Sequence, residues 1–348
     1  MASRAKRTVS ITDVADKAGV SIATVSRVLN GHDGVKSETK DYIEKTARQM
    51  GFSLSKKRPG PKPGTPSRKK RIAFINFIDR YHVATDQPST YLALQRGVEE
   101  GCKENKCAVQ IHFVDTRTEL PESVIKDNCA GFILQGRKPL PEVEKFLSGK
   151  PCCWVMNNPW TPSWGDHVMP DHREVGMIAA DYLLSHGCRN PLIIKLGLQD
   201  RVSALREEGF CYGLGKANIE AQSLAAEGPP ADEPAIYPEA VYVTDITSKL
   251  KDRVGKIDGI FFDSDRALAA LYPVMVNEKI IKPGKTRLIG CNNQQPYLKG
   301  ISPHPATMDI HFELIGRLGV SQLLWRMKNR DTEQRIRSLI SPTLVSLD

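Results

Sequence analysis

From residue 71 onward, short apolar runs alternate with amphipathic stretches of helical length. Continuous apolar runs of strand type include RIAFINFI (71–78), GFILQG (131–136), PLIIKLG (191–197) and AVYVTD (240–245). Amphipathic stretches such as STYLALQRGVEEGCKENK (89–106) lie between them. This alternation is typical of parallel sheets that are covered by helices on both faces. The repeats are numerous enough to predict two doubly wound lobes rather than one.

Length and composition narrow the class of protein. A chain of 348 residues with 40% hydrophobic and 26% charged residues is typical of a folded protein of two or three domains. It has no apolar run of 18 residues, and MASRAKRTVS at its start lacks an apolar core, so we expect neither a membrane span nor a secretion signal. None of the eight cysteines forms a C-x-x-C pair, which predicts reduced, mostly buried thiols. We therefore expect a cytoplasmic protein without a cofactor.

Positive charge is concentrated at the N-terminal end. Residues 1–71 hold 17 Lys and Arg against 6 Asp and Glu, whereas residues 72–348 hold 32 against 34. The strip KKRPGPKPGTPSRKKR (56–71) contains eight basic residues and four prolines, and the prolines exclude a helix or a central strand. Such a basic end is typical of a phosphate-binding module, although a solvated basic tail has the same composition. A motif has to decide between the two.

The stretch SITDVADKAGVSIATVSRVLNG (10–31) provides that motif. It predicts a short helix capped by Thr12, a tight turn at Gly19, and a second helix capped by Ser21 that runs to about Asn30. Small and branched residues lie where two such helices would cross: Ala15, Gly19, Val25 and Val28. The pattern predicts a helix-turn-helix, whose second helix enters the major groove of DNA.

A third helix is predicted over SETKDYIEKTARQM (37–50), with Ser37 as its cap and Gly51 as its stop. Its predicted apolar face consists of Tyr42, Ile43, Ala47 and Met50. The third helix and the local positive charge agree with the helix-turn-helix interpretation.

DVADKAGVSIATVSRVLNG and the following helix that ends in RQMGF resemble the N-terminal domain of the LacI/GalR (lactose-repressor) family of bacterial transcription regulators. The resemblance is nearly continuous over residues 10–52 and implies DNA-binding roles. The residues implied to face base edges are Ile22, Ala23 and Arg27. Those implied to contact phosphate or to fix the helix in the groove are Ser21, Thr24, Ser26 and Asn30, and we add Lys36 to the predicted DNA contacts.

The side chains of the second helix suit these roles in different ways. Arg27 has the geometry for a bidentate contact to guanine, whereas Ile22 and Ala23 offer only apolar contact, for example to a thymine methyl group. A core position is the alternative for Ile22. Because Ile22 is offset from the face that carries Val25 and Val28, we predict that it is exposed.

The α/β part resembles the same family and, more loosely, the periplasmic sugar-binding proteins, for example in REVGMIAADYLLSHGCRNPLIIKLG and DGIFFDSDRALAAL. The resemblance implies two lobes with a ligand in the cleft at the carboxyl ends of the strands. The effector contacts that it implies by position are Arg206, Asp265 and Phe312, with Asp79 and Asn157 as weaker expectations from topology. Trp160 and Trp164 either stack on a sugar face or pack in a long loop.

A carboxylate, a guanidinium and aromatic faces together suit a polyhydroxylated ligand such as a sugar. The sequence departs from the family pattern at Ser264, where Asn is usual, and at DIH (309–311), where Arg-Gln-Pro is usual. These departures leave the identity of the ligand open.

The basic strip also departs from the family. In typical relatives, residues 53–63 would form a hinge helix with a leucine that wedges into the minor groove, but here the wedge position is Pro61. Our hypothesis is that Arg58 and Lys62 lie extended in the minor groove of the operator. A stiff, solvated spacer with nonspecific phosphate attraction is the alternative.

The predicted fold is an N-terminal all-α helix-turn-helix domain followed by an α/β, periplasmic-binding-protein-like sensor with two doubly wound lobes. The predicted domains are a DNA-binding domain over residues 1–54, a basic Pro-rich linker over 55–71, and an effector-binding and dimerisation domain over 72–348. The predicted function is a transcriptional regulator, a repressor, that binds a palindromic DNA operator as a homodimer and responds to a small effector, a sugar or sugar derivative. We expect no membrane partner.

Three other functions stay open at this point. An architectural DNA-binding protein without sequence specificity would also have a basic end, and a sugar-binding module without regulatory coupling would share the α/β part. An enzyme is disfavoured because GLGKAN (213–218) is too short for a phosphate-binding loop and no catalytic motif follows a strand. Asp309 and His311 could share one side of a strand, but no third metal ligand has matching spacing.

Overall fold

In the computed structural model the chain divides into two compact units, Met1–Arg68 and Lys69–Asp348. The structure describes residues 9–29, 35–52, 70–78, 88–126, 129–156, 163–195, 201–227 and 239–347. Of the predicted linker over residues 55–71, only Lys70 and Arg71 are described, so its conformation and the domain boundaries on either side stay predictions.

The described part of the first unit contains three helices, α1 (Ile11–Ala18), α2 (Ile22–Leu29) and α3 (Ser37–Gln49). Gly19 has a φ of 66° at the turn between α1 and α2, a backbone conformation that residues with a Cβ rarely adopt. The small core between the helices consists of Val14, Ala15, Val25, Val28, Ile43 and Ala47. This arrangement is the predicted helix-turn-helix with its third helix.

Two predicted helix caps are wrong. The cap of α1 is Ser10 instead of Thr12, because the Asp13 amide donates to Ser10 Oγ at 3.3 Å and the Asp13 carboxylate accepts from the Ser10 amide at 2.8 Å. This reciprocal pair is a capping box, with Asp in place of the usual Glu. At α3, Lys36 precedes the helix and Ser37 is its first residue, and no side chain caps this helix end.

The cap of α2 is the predicted one, since the Thr24 amide donates to Ser21 Oγ at 3.1 Å. Tyr42 differs from its prediction, because its side chain is 55% exposed and does not belong to the buried face of α3. Ile43, next to it in sequence, is fully buried instead. Adjacent helical residues point about 100° apart, so the core contacts one and leaves the other in water.

The second unit is an α/β structure with two parallel sheets. Its described strands are β1 (Arg71–Ile78), β2 (Ala108–Asp115), β3 (Gly131–Gly136), β4 (Cys152–Val155), β5 (Asp166–Pro170), β6 (Pro191–Lys195), β7 (Gln222–Ala225), β8 (Gly259–Phe262), β9 (Arg287–Ile289), β10 (Thr307–Asp309), β11 (Arg337–Ile340) and β12 (Thr343–Val345). Its described helices are α4 (Pro88–Glu104), α5 (Glu122–Lys126), α6 (Pro141–Ser148), α7 (His172–Ser185), α8 (Arg201–Gly215), α9 (Glu239–Lys251), α10 (Asp265–Asn277), α11 (Gln295–Leu298) and α12 (Phe312–Lys328).

The first sheet has the strand order β11-β5-β4-β3-β1-β2, and the second has the order β7-β6-β8-β9. All neighbouring strands within these two sheets run parallel. β10 and β12 form a separate antiparallel pair. Helices cover both faces of the first sheet, and Cys152 and Cys153 point into the two different cores on either side of it. The prediction of two doubly wound lobes is therefore confirmed.

One predicted strand is wrong. AVYVTD (240–245) lies within helix α9, not in a strand. The β-branched run favours a strand locally, but Ile246 and Leu250 are buried four residues apart and pack in the core beside the second sheet. Helical burial of these later residues overrides the local preference. The edge strand beside β6 is β7, which was not predicted.

Two pairs of helices pack backbone against backbone through glycines. A Cβ atom on Gly209 of α8 would lie 1.9 Å from the carbonyl oxygen of Arg173 in α7. A Cβ atom on Gly97 of α4 would lie 1.9 Å from the carbonyl oxygen of Glu313 in α12. Only glycine permits this approach, which holds α8 against α7 and α12 against α4. None of the helices in the described part of the chain is long and apolar enough to cross a bilayer.

Candidate recognition helix and ligand cleft

Helix α2 has one buried side and one exposed side. Val25 and Val28 are buried against α1 and α3, whereas Ile22 is 48% exposed. The predicted exposure of Ile22 is therefore confirmed. Ala23 and Arg27 are exposed on this helix as well.

The exposed side of α2 has the chemistry for DNA recognition. Ile22 and Ala23 provide small apolar contacts, and Arg27 provides a guanidinium that forms no hydrogen bond or ion pair with the described residues. At the start of the helix, Ser21 Oγ and Thr24 Oγ1 are 2.8 Å apart. The remaining predicted contacts divide into the half-buried Ser26 and the exposed Lys36, which precedes α3.

Several predicted site residues cannot be placed. Those that lie outside the described residues are Asn30, Arg58, Lys62, Asp79, Asn157 and Trp160. Their roles in DNA or effector binding stay predictions.

In the second unit, a cavity of about 240 Å³ lies at the carboxyl ends of strands from both sheets. Gln135 is near the end of β3, Met156 follows β4, and Asn292 follows β9. Ligands of open α/β sheets bind at this edge. The described residues that line the cavity are Thr90, Tyr91, Gln135, Met156, His172, Val202, Arg206, Asn292, Ile310 and Phe312. Two predicted effector contacts, Arg206 and Phe312, are thus brought together.

Arg206 is only 4% exposed, and three hydrogen bonds hold its side chain in place. Its Nε donates to His172 Nδ1 at 3.2 Å, its Nη2 donates to Asn292 Oδ1 at 3.2 Å, and its Nη1 donates to the carbonyl oxygen of Asp263. The guanidinium is therefore fixed in the cavity wall by groups from α7, from the residue after β8 and from the segment after β9.

His172, the first residue of α7, is neutral in this environment. Burial, and then the positive charge of Arg206, hold the pKa of His172 well below its usual value. Because Nδ1 accepts from Arg206, the single proton is assigned to Nε2. His172 Nε2 is buried without a hydrogen-bond partner among the described residues.

Asp265 is located differently from the other predicted contacts. It is fully buried and does not line the cavity. Its Oδ1 accepts from Thr307 Oγ1 at 2.7 Å, and its Oδ2 accepts from the Gln294 amide at 2.7 Å. Burial raises the pKa of Asp265 to about 7, although these hydrogen bonds and the charge of Arg206 act to lower it. The carboxylate thus joins α10 to two segments beside the cleft, and its contact with a ligand stays a prediction.

Ser264, where the family pattern has Asn, has a structural role. Its Oγ accepts from the Ala267 amide at 3.2 Å and caps α10. Serine and asparagine are both preferred at this position, so the capping role is retained in spite of the departure.

Trp164 contacts the core of the first sheet. Its ring lies edge-on to Trp154 with the centroids 5.2 Å apart, and its Nε1 donates to Glu144 Oε1 at 2.8 Å. Trp164 does not line the cavity. Of the two interpretations of this residue, the structure favours packing over stacking on a ligand.

The arrangement considered for DIH (309–311) is wrong. β10 ends at Asp309, and His311 has a φ of 60° in the left-handed region, so the two residues do not alternate along one strand. The His311 amide donates to Asp309 Oδ1 at 2.8 Å and the segment turns into α12. Among the residues that the structure describes, no group of three metal-ligating side chains comes together.

Comparison with known proteins gives the family. Residues 10–55 match the model of bacterial regulatory proteins of the lacI family. The chain therefore has a DNA-binding domain of the lacI family. Residues 180–346 match the periplasmic binding protein-like domain. With these two domains, the chain is a DNA-binding transcriptional regulator.

Two relatives that align with nearly the whole chain are transcriptional regulators. The HTH-type transcriptional regulator GntR of Pseudomonas aeruginosa is 26% identical over 330 residues, which cover 90% of this chain and 88% of the relative. The HTH-type transcriptional repressor MelR of Bacillus subtilis is 23% identical over 343 residues and 94% of both chains. These relatives are transcriptional regulators by name, not enzymes.

Solved structures share the fold. The transcriptional regulator CelR in complex with cellobiose has a TM-score of 0.63 at 20% identity, covering 97% of this chain and 98% of that chain. The lac repressor dimer bound to operator and the anti-inducer ONPF has a TM-score of 0.60 at 16% identity, covering 98% of both chains.

Sequence reasoning missed several residues of the cleft in this regulator. Gln135 and Asn292 are polar residues at or just after the ends of apolar strands, a position that could have identified them. Tyr91 lies in α4 and His172 begins α7, and nothing in their local pattern distinguishes them from other polar or aromatic helix residues.

Proposed function

We propose that this regulator is a repressor that binds a palindromic operator as a homodimer, and that a small ligand in the cleft changes its affinity for the operator. The observation that carries the proposal is the cavity around Arg206, in a chain that also has the exposed face of α2. One helix-turn-helix contacts only a half-site, so two copies on a near-palindrome are expected.

The cleft supports control by a ligand because both sheets contribute to it. Gln135 comes from the first sheet, and Arg206 comes from a helix that packs on the second. A ligand that contacts both would stabilise one relative position of the lobes and shift the population of conformations. The ligand class that fits is a polyhydroxylated small molecule, since polar groups lie beside the aromatic rings of Tyr91 and Phe312.

In the DNA-binding unit, we assign base contacts to Ile22, Ala23 and Arg27. Phosphate contacts and helix positioning are assigned to the remaining predicted residues, which are Ser21, Thr24, Ser26, Asn30 and Lys36. We also assign the protein to the cytoplasm, in contact with the nucleoid, and we expect no turnover of the bound ligand.

Selection of binding sites from random DNA with the full chain tests this function. A palindromic consensus, bound by two chains as measured by sedimentation, is the expected result. Recovery of no consensus would favour the architectural protein instead.

The selected operator then serves to test regulation. We expect a ligand that raises the melting temperature of the protein to change operator affinity as well. A ligand that binds without any effect on operator affinity would indicate a binding module without regulatory coupling.

A further inference from the structure

An adjoining cavity of about 420 Å³ is lined by Glu100, Asp309 and Glu313, but the cavity of about 240 Å³ that contains Arg206 has no carboxylate among its described lining residues. Of the described residues that line it, Arg206 carries the one formal charge, and none is a carboxylate. Neutral sugars present several hydroxyl protons, which carboxylate and amide oxygens accept. The nearby carboxylates of Asp263 and Asp265 are both outside the lining.

Those two carboxylates already accept hydrogen bonds from the protein. Asp263 Oδ2 accepts from Ser203 Oγ at 2.8 Å, and its Oδ1 accepts from Ser264 Oγ at 3.3 Å. Asp265 Oδ1 accepts from Thr307 Oγ1, and Asp265 Oδ2 accepts from the backbone N–H of Gln294. Each of the four carboxylate oxygens therefore already accepts a hydrogen bond from the protein, and neither side chain lines the cavity.

Arg206 retains donor capacity and an unmatched charge. Its three hydrogen bonds use three of the guanidinium's five N–H groups, and all three acceptors are neutral. It forms no ion pair with any carboxylate of the described residues. A guanidinium in this state favours carboxylate or phosphate oxygens, which match its planar donors and its charge.

His172 adds a second donor beside Arg206. The residue is 3% exposed, lines the same cavity, and has a buried Nε2 without a partner among the described residues. A buried donor left without an acceptor is unfavourable, because it has lost its hydrogen bond to water. An acceptor oxygen of a ligand would remove that cost.

We propose that the ligand of the cleft carries an anionic oxygen group, a carboxylate or a phosphate, that accepts hydrogen bonds from His172 Nε2 and from the free N–H groups of Arg206. The polyhydroxylated remainder lies against Phe312 and Tyr91. The inference rests on the proposed function, in that it places the effector in this cleft, and it narrows the class from sugars to sugar acids and sugar phosphates.

The test uses the full chain and matched sets of ligands. Each set contains an aldose, the aldonate formed by oxidising it and its 6-phosphate, and inorganic phosphate is the smallest probe. Binding is measured by calorimetry and by the shift in melting temperature. We expect an anionic member to bind at least about 100-fold more tightly than its neutral parent, and the preferred anion to identify the group as carboxylate or phosphate.

Variants separate the charge from general damage to the cleft. Arg206→Gln should lose most of the affinity for the anion and little of the affinity for the neutral parent. The ratio of the two affinities should therefore fall towards one. If Arg206→Gln does not fold, His172→Phe removes the second donor and should reduce the affinity for the anion by about 10-fold. Ser203→Ala is the control, because Ser203 bonds to Asp263 and does not line the cavity.

Three results would overturn the proposal. The first is a neutral parent sugar that binds the wild-type protein as tightly as its anion does. The second is an Arg206→Gln variant that loses equal affinity for the anion and for the neutral parent. The third is an anion that raises the melting temperature of the wild-type protein no more than that of Arg206→Gln. Different results would contradict the proposal of an anionic ligand and the proposed function. A neutral sugar that releases the operator would contradict only the anionic group, whereas a tightly bound anion without effect on the operator would contradict only the regulation.

Discussion

Arg326 and Asp166 form a bidentate ion pair between the end of α12 and the start of β5. Arg326 Nε lies 2.9 Å from Asp166 Oδ2, and Nη2 lies 2.7 Å from Oδ1. The Asp166 side chain is 1% exposed and also accepts from Gln322 Nε2 and the Ile336 amide. Burial alone would raise the pKa of Asp166, but these hydrogen bonds outweigh it and lower the pKa.

Removing the cation should destabilise the α/β unit strongly. Arg326→Met leaves the buried Asp166 carboxylate without its partner, and we expect a loss of about 3–5 kcal/mol in the free energy of unfolding, measured in urea. The matched control is Arg317→Met on the same helix. Arg317 is 44% exposed and lies 3.8 Å from Glu104, so its loss should cost less than about 1 kcal/mol. Similar losses in the two variants would contradict this assignment.

The close approach of α7 and α8 gives a second prediction. Gly209→Ala would place a Cβ 1.9 Å from the Arg173 carbonyl oxygen, so α8 must move away from α7. We expect a loss of at least about 1–3 kcal/mol in stability and weaker ligand binding, because Arg206 lies one turn before Gly209. Gly215→Ala, in the same helix with no atom within 4 Å of its added Cβ, should leave both properties nearly unchanged. Unfolding in urea and calorimetry with the identified effector measure the two effects.

The two sides of α2 should separate stability from DNA binding. Val25→Ala removes methyl groups from a fully buried position and should lower the stability of the helix-turn-helix unit by about 1–3 kcal/mol. Arg27→Ala should leave the melting temperature unchanged but reduce discrimination at one base pair of the operator by about 1–3 kcal/mol. Gel-shift titrations against single-base operator variants measure this discrimination. A uniform loss across all variants would instead assign Arg27 to phosphate.

The sequence predicted those elements whose pattern is local. The run at 71–78 is strand β1 over those residues, and the small residues at Gly19 and Ala15 identified the turn and helix crossing of the DNA-binding unit. The run at 240–245 was mispredicted because its neighbours Ile246 and Leu250 determine the burial.

The cleft was predictable only in part, because its key contacts are distant in sequence. Arg206 bonds to His172, 34 residues earlier, and to Asn292, 86 residues later. Asp265 has the family position but is covered by Thr307 and Gln294, and only tertiary packing determines this burial. Residue type and strand position identified where the ligand binds, while the donor and acceptor arrangement required the fold.

His167 in β5 predicts how stability depends on pH. The residue is 4% exposed, so its ring is almost completely removed from water. Burial, followed by the positive charges of Arg337 and Arg335, lowers the pKa of His167 to about 4. The unfolded chain therefore binds a proton at this residue near pH 6.5, whereas the folded chain does so only near pH 4.

As the pH falls from 7 to 4, protonation of His167 in the unfolded state should reduce the free energy of unfolding by about 3 kcal/mol. His167→Phe fills a similar volume and cannot be protonated, so its stability relative to wild type should improve by about that amount between pH 7 and pH 4. Part of the decline should persist in His167→Phe, because burial also lowers the pKa values of His112 and His172. Urea unfolding across this pH range measures the effect. If the difference in the free energy of unfolding between His167→Phe and wild type stays constant with pH, His167 titrates alike in the folded and unfolded chains and the prediction is wrong.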